Sequence, residues 1–322
     1  MSGRAQVSFG RRDVLAAAER IHGHVRRTPV AQVAGSVLGV RGSAEPVWLK
    51  LEMLQHSGSF KARGAFNRVL AARHAGQLPT AGVIAASGGN AGLAVAHVAR
   101  QLGVPAEIHV PITAPAVKVA RLAALGAVVV QQGTEYAQAY ESALAAAEES
   151  GALFCHAYDQ PEICAGQGTL GLELLEQLPD VDTVLLAVGG GGLMAGVATA
   201  LRSRARVIGV EPEAIPTLNA ALMVGCVVDV DVSGIAADSL GARRLGDIAF
   251  AAAVDCEVRS VLVSDQAIVE ARQRLWRELR LVVEHGCAAA VAALATGAYR
   301  PGPAERVGVV LCGANTDPAD LG

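Results

Sequence analysis

Short runs of continuous apolar residues alternate with longer stretches of helical spacing along most of the chain. The first periodic stretch predicts a helix over 13–25, with Asp13 as N-cap and Thr28-Pro29 ending it. Residues 47–52 alternate like a strand, and 62–75 set Ala65, Phe66, Val69 and Leu70 on one helical face. Further strands are expected at 82–86, 106–110, 127–130, 153–155, 183–188, 207–210, 258–263 and 307–311. Helices are expected between them at 91–102, 115–125, 134–150, 161–178, 193–203, 265–279 (with Ser264 as N-cap) and 288–296. The pattern loosens between Ile215 and Val258. Apolar strands separated by helices indicate parallel sheets covered on both faces. The expected fold class is therefore α/β, two domains with open, mostly parallel twisted sheets flanked by helices. Three strand–helix units in 77–156 are expected to form a small domain with its own sheet, and 1–76 with 157–322 a larger one.

Composition supports this class and removes others. The 322 residues are 52% apolar and include 36 glycines but only 3% aromatic residues, which suits an alanine- and valine-rich α/β core. A net charge of −3 gives no electrostatic footprint for nucleic acid. The six cysteines are scattered without a C-x-x-C pair, so reduced, buried thiols in a cytoplasmic protein are expected rather than zinc or a disulfide framework. Residues 1–12 carry arginines but no apolar core of a leader peptide. Residues 183–201 hold no charge and are long enough to approach a bilayer span. Four glycines in their middle break any helix there, so strand, loop and helix are expected and no membrane segment.

Candidate chemistry lies just after strands, where open parallel sheets bind ligands. Lys61 follows Ser57-Gly58-Ser59-Phe60 and opens a helix, where unpaired N–H groups and the helix dipole disfavour its charge. A lysine held neutral is a nucleophile that forms imines with aldehydes. The chain has three lysines, Lys50, Lys61 and Lys118, so the candidates are few. Ser87-Gly88-Gly89-Asn90 suits a small anion such as a carboxylate, or else caps a helix. Gly189-Gly190-Gly191-Gly192 lets backbone wrap a phosphate. A dinucleotide site is the rival, with Glu211 about 20 residues on as the ribose acid, but no register satisfies G-x-G-x-x-G. His22, His24, Cys155 and His156 read as incidental rather than as metal ligands. An imine-forming lysine, a phosphate cradle and an anion loop together point to pyridoxal phosphate and an amino-acid substrate.

With Leu51-Glu52, Ser57 to Ala65, Ser87 to Asn90, Gly189 to Leu193 and Cys312-Gly313 in this order, the chain resembles the serine/threonine dehydratases of the tryptophan-synthase-β fold (fold type II). The resemblance implies that Lys61 holds pyridoxal 5'-phosphate through its amine and, once freed, takes the substrate Cα proton. It implies that Phe60 packs on the pyridine ring, that Asn90 bonds the cofactor's O3′, and that Cys312 faces the ring nitrogen. Gly189, Gly190, Gly191, Gly192 and Leu193 would hold the phosphate. Ser87, Gly88, Asn90 and Ala91 would bind the substrate carboxylate, with Asp238 and Ser239 near the leaving hydroxyl. The implied reaction is dehydration and deamination of L-threonine or L-serine to a 2-oxo acid and ammonia, by a cytoplasmic homodimer. Elimination from another β-hydroxy amino acid, cysteine-synthase-like β-replacement, and a non-catalytic nucleotide- or cofactor-binding protein are the alternatives.

Several residues depart from the family pattern. Relatives that racemise serine carry a second hydroxyl where this chain has Gly88, so weak or absent racemisation is expected. Those relatives bind a divalent metal through two acids; here Glu211 is kept but Thr217 stands at the second position. Glu211, Ile215 and Thr217 would suit a monovalent cation such as K+. Glu284 matches a family glutamate near the cofactor, followed by an unusual His285-Gly286. With no room after Gly322 for a regulatory domain, isoleucine feedback is not expected.

Overall fold

The structure is a computed structural model that describes residues 9–40 and 45–321. The stretch read for a leader peptide therefore lies largely outside the described residues.

In chain order the strands are β1 (Val30–Ala34), β2 (Pro46–Lys50), β3 (Val83–Ala86), β4 (Ala106–Val110), β5 (Val128–Gln131), β6 (Leu153–Phe154), β7 (Thr183–Ala187), β8 (Arg206–Pro212), β9 (Arg259–Val263) and β10 (Val307–Val310). Among the described residues they make a six-stranded sheet in the order β1-β2-β10-β7-β8-β9 and a four-stranded sheet in the order β5-β4-β3-β6. All pairings are parallel except β1 with β2. Val309 of β10 lies opposite Leu49 of β2 on one side and Leu185 of β7 on the other, which fixes the register at the sheet centre. Every residue of β3, β7 and β10 is buried, as the continuous apolar runs require of strands covered on both faces.

Two local readings need correction. The first helix runs over Arg11–Ile21 with Gly10 as N-cap, and Asp13 sits inside its first turn, its carboxylate accepting from the Gly10 N–H at 2.7 Å. It ends before Gly23, whose φ of 78° a helix cannot accommodate. β1 was not anticipated: Val30-Ala31-Gln32-Val33-Ala34 is a half-exposed edge strand with weak alternation, fixed by pairing with β2. In the loosened region the chain forms helices at Thr217–Val224, Ala237–Leu240 and Asp247–Asp255. Helix Asp265–Leu279 is as expected, with Ser264 Oγ accepting from Ala267 N at 3.3 Å. The uncharged run 183–201 divides into β7 and helix Gly192–Leu201, and no helix among the described residues is long and apolar enough to cross a membrane. Cys226 is exposed and Cys256 half-buried, against the expectation of buried thiols throughout.

Two large apolar clusters fill the interior. One packs helices Gly192–Leu201 and His285–Thr296 around the six-stranded sheet through residues such as Leu185, Met194, Val291 and Val309. The other joins Val83, Val98 and Ile108 of the four-stranded sheet and its helix to Ala62, Ala65, Phe66, Val69 and Leu70 of helix Lys61–His74. The helix that begins with Lys61 thus anchors its apolar face against the smaller sheet while its first residue faces the larger one's loops.

Candidate active site

The three lysines have different surroundings. Lys50 is fully buried and donates to Glu173 Oε2 at 2.6 Å, Thr28 O at 2.8 Å and Gln177 Oε1 at 2.8 Å. Lys118 pairs with Asp238. Lys61 Nζ donates instead to a neutral group, the Ala157 carbonyl, at 2.7 Å, and lies 5.0 Å from the centre of the Phe60 ring. Burial lowers its pKa to about 8, against the opposing influence of Cys312, Cys164 and Glu284. The lowered basicity expected from the helix terminus is thus present, with removal from water as its main cause. A neutral amine is accessible here near physiological pH.

The carbonyl that meets Lys61 belongs to a tightly held loop. His156 Nδ1 accepts from both Tyr158 N at 3.1 Å and Asp159 N at 2.8 Å, which fixes the turn. Burial pushes the His156 pKa down to about 4, so the ring stays a neutral acceptor. The next residue, Tyr158, packs under the glycine run. Sequence reasoning treated His156 as incidental and missed Tyr158, because neither falls in a glycine-rich motif.

Gly189 to Gly192 follow β7 and lead into helix Gly192–Leu201, whose N-terminus carries no side-chain cap. Their need for glycine comes from close neighbours, Tyr158 among them. A Cβ at Gly190 would stand 2.4 Å from the Tyr158 ring, one at Gly191 2.5 Å from Ala249 Cβ, and one at Gly192 2.6 Å from the Tyr158 carbonyl. The loop can therefore press its backbone into a cleft of about 500 Å³ shared with Phe60, Lys61 and Cys312. Uncapped amides at a helix start, a bare backbone and an amine on the opposite wall suit a phosphorylated aldehyde. The residues present fit pyridoxal phosphate.

An adjoining cleft of about 300 Å³ shares Asn90, Ser239 and Glu284 with the first and adds Gly88, Lys118 and Arg121. The helix Asn90–Leu102 begins there without a side-chain cap: Ser87 Oγ accepts from Gly89 N at 3.2 Å, so neither Ser87 nor Asn90 caps it. Its first amides are left to an anion, and Ala91 lies in that first turn. The Asn90 amide is more committed than the sequence indicated. It donates to both Glu284 oxygens at 2.8 and 2.9 Å and accepts from Asn315 Nδ2 at 2.6 Å. Burial raises the Glu284 pKa, while the bonds from Asn90 and the Asn315 N–H act the other way.

Cys312 follows β10 on the floor of the first cleft. Its thiol is raised well above the usual range by a hydrogen bond with the Cys287 thiol and by burial, so it stays protonated. Cys287 was not singled out in the sequence, since nothing in a helical alanine run distinguishes it. Asp238 is largely exposed in its ion pair with Lys118, and Ser239 Oγ accepts from Gly286 N at 3.1 Å. Glu211, Ile215 and Thr217 lie buried beyond the glycine loop, where Thr217 Oγ1 donates to Gly189 O at 2.6 Å.

A buried amine and a glycine loop line one cleft at the carboxyl ends of a parallel sheet, an arrangement that suits an aldehyde-bearing phosphate. Residues 21–313 match the family of pyridoxal-phosphate dependent enzymes. The chain is 37% identical over 308 residues to the L-threonine ammonia-lyase of Thermotoga maritima, covering 95% of this chain and 75% of that one. It is 39% identical over 304 residues to the phenylserine dehydratase of Ralstonia pickettii, covering 93% and 91%. Its fold matches the structure of maize serine racemase with a TM-score of 0.89 at 30% identity, covering 98% of this chain and 96% of that one. The chain belongs to the pyridoxal-phosphate dependent enzymes of fold type II, in the group of ammonia-lyases and dehydratases, and its cofactor is pyridoxal phosphate.

Proposed function

We propose that this enzyme removes water and then ammonia from L-threonine or L-serine, releasing a 2-oxo acid. The observation that carries the reading is the position of Lys61. It is the lysine whose amine meets a carbonyl rather than a carboxylate, and it stands on a cleft that adjoins the anion loop.

In this reading Lys61 would hold the cofactor, Gly189 to Leu193 its phosphate, and Phe60, Asn90 and Cys312, which line the same cleft, its ring. Bound pyridoxal phosphate supplies an electron sink for the charge left when the substrate Cα loses its proton. The amides of Ser87 to Ala91 orient the substrate carboxylate. Lys61 Nζ, kept weakly basic by burial, would be the group that takes the Cα proton. A protonated thiol at position 312 would be a neutral neighbour to the ring, without the charge a carboxylate would supply. That favours prompt loss of the β-hydroxyl. Residues 77–156 act as the smaller, moving unit, and Lys118–Asp238, Arg121–Asn315 and Asn90–Glu284 are among the polar contacts that join it to the rest. We extend the proposal to a cytoplasmic homodimer, which light scattering and fractionation test.

A second reading is favoured by Arg121. Its Nη2 donates to Asn315 Oδ1, an amide rather than a carboxylate, at 2.5 Å in the cleft beside Gly88. That guanidinium could bind a second carboxylate, making an acidic β-hydroxy amino acid the substrate.

The test is 2-oxo acid release across serine, threonine, phenylserine and 3-hydroxyaspartate, with Lys61→Ala as control. Release from serine or threonine that disappears in the control supports the first reading. Release confined to the acidic substrate supports the second, and none from any of the four rejects both.

A further inference from the structure

The three groups matched to a cation site in the sequence are already occupied by the protein's own donors. Glu211 is the penultimate residue of β8 and is fully buried. Its Oε1 accepts from Leu218 N at 2.6 Å and Thr217 Oγ1 at 3.1 Å; its Oε2 accepts from Asn219 N at 2.9 Å and Ser260 Oγ at 2.9 Å. A carboxylate offers about four lone-pair positions, and this one takes three full donors and a share of the Thr217 proton. Two of them are first-turn amides of helix Thr217–Val224, so the positive end of that helix already faces the acid. Ile215 O accepts from Thr217 N at 3.1 Å. Thr217 Oγ1 has one proton, directed chiefly at Gly189 O at 2.6 Å and shared with Glu211 Oε1 at 3.1 Å. A metal ion needs several oxygen lone pairs converging on one point. Here those oxygens are turned on protein N–H and O–H groups, and the residues do not fit a cation.

We propose that Glu211 and Thr217 form an internal strut that holds the Gly189 carbonyl, and with it the start of the glycine loop, in place of a bound ion. Thr217 is then a positioning residue for the phosphate cradle, acting through Gly189. The enzyme works without monovalent or divalent cations as a consequence. The inference rests on the reading of Gly189 to Leu193 as the phosphate-binding loop.

The test has two arms. Holoenzyme treated with chelator and exchanged into tetramethylammonium buffer is melted alone and with K+, Na+, Mg2+ or Ca2+ at millimolar concentration. The expected midpoints agree within about 1 °C, since an ion that does not bind the native state adds nothing by mass action. A rise of more than about 3 °C with one ion that is absent with the others overturns the proposal. In the second arm the cofactor is titrated by its absorbance into wild type, Thr217→Val and Thr217→Ser. Loss of the hydroxyl in Thr217→Val should weaken cofactor binding by roughly tenfold, with Thr217→Ser near wild type, because only serine can still bridge the two oxygens. Equal cofactor affinity in all three proteins overturns the positioning role. Neither readout involves a substrate, so an error in the proposed reaction leaves both interpretable.

Discussion

Arg63 Nε donates to Glu52 Oε1 at 2.5 Å with both side chains fully buried, two residues beyond Lys61. Arg63 Nη1 also reaches Glu173 Oε1 at 2.7 Å, and Lys50 Nζ reaches the other Glu173 oxygen at 2.6 Å. The four charges balance and tie the end of β2, the turn after it, helix Lys61–His74 and helix Pro161–Gln177 together. Burial alone would raise the Glu173 carboxyl, but the hydrogen bond and charge of Arg63, with the charge of Lys50, hold it below its usual value. The network sets the start of the helix that presents Lys61.

Glu52→Gln should therefore destabilise the protein by about 3–5 kcal/mol, since it leaves a buried guanidinium with one acid instead of two. Urea unfolding measures this. A loss under about 1 kcal/mol would show that the network carries little of the fold.

The Lys61 pKa makes a pH prediction for cofactor-free protein. Its amine titrates at about 8 in the folded chain against 10.5 in the unfolded one. Between these values the unfolded state binds more protons, so this residue's contribution to stability rises with pH and is complete above 10.5. Melting of wild type and Lys61→Ala should diverge in the wild type's favour as pH climbs through this window. A difference that stays constant from neutral to alkaline pH contradicts the lowered value.

Gly192→Ala places a methyl group 2.6 Å from the Tyr158 carbonyl, which accepts from Cys164 Sγ and whose flanking N–H groups are held by His156. The loop must move away from its packed position, and cofactor retention should fall by roughly tenfold or more. Absorbance of bound cofactor after dialysis reads this directly. Retention equal to wild type would mean that the cradle does not depend on this packing.

Gly88 cannot carry a proton, so D-serine formation from L-serine should run below about one hundredth of 2-oxo acid release. A side chain fits there: a Cβ would lie 3.5 Å from Val110 Cγ1 and 4.0 Å from Lys118 Cδ. Gly88→Ser should fold normally and raise the ratio of D-serine to 2-oxo acid, measured by chiral chromatography. Comparable rates of the two products in the wild type would sink the argument.

Much of the site could be read from local spacing. Lys61 after a run of small residues, Gly189 to Gly192 after an apolar strand and Ser87 to Asn90 after another are contiguous, and contiguous backbone chemistry is visible in one dimension. The alternation of apolar runs with helical stretches likewise specified parallel sheets, because burial on both faces leaves a strand no polar positions. The region from Ile215 to Val258 was poorly legible, since its short helices are held by distant contacts such as the Leu218 N–H on Glu211 and the Asp159 carboxylate on Ile248 N.

The sequence by itself determined which lysines could serve, which loops could wrap an anion, and that strands and helices would alternate. Only the tertiary structure decided that Lys50 and Lys118 are taken by Glu173 and Asp238, that Lys61 meets a carbonyl, and that Glu211 is already satisfied. The reason is physical: the state of an ionisable group depends on its solvation and on what stands within a few ångströms of it. Those neighbours come from segments as far apart as Lys118 and Asp238.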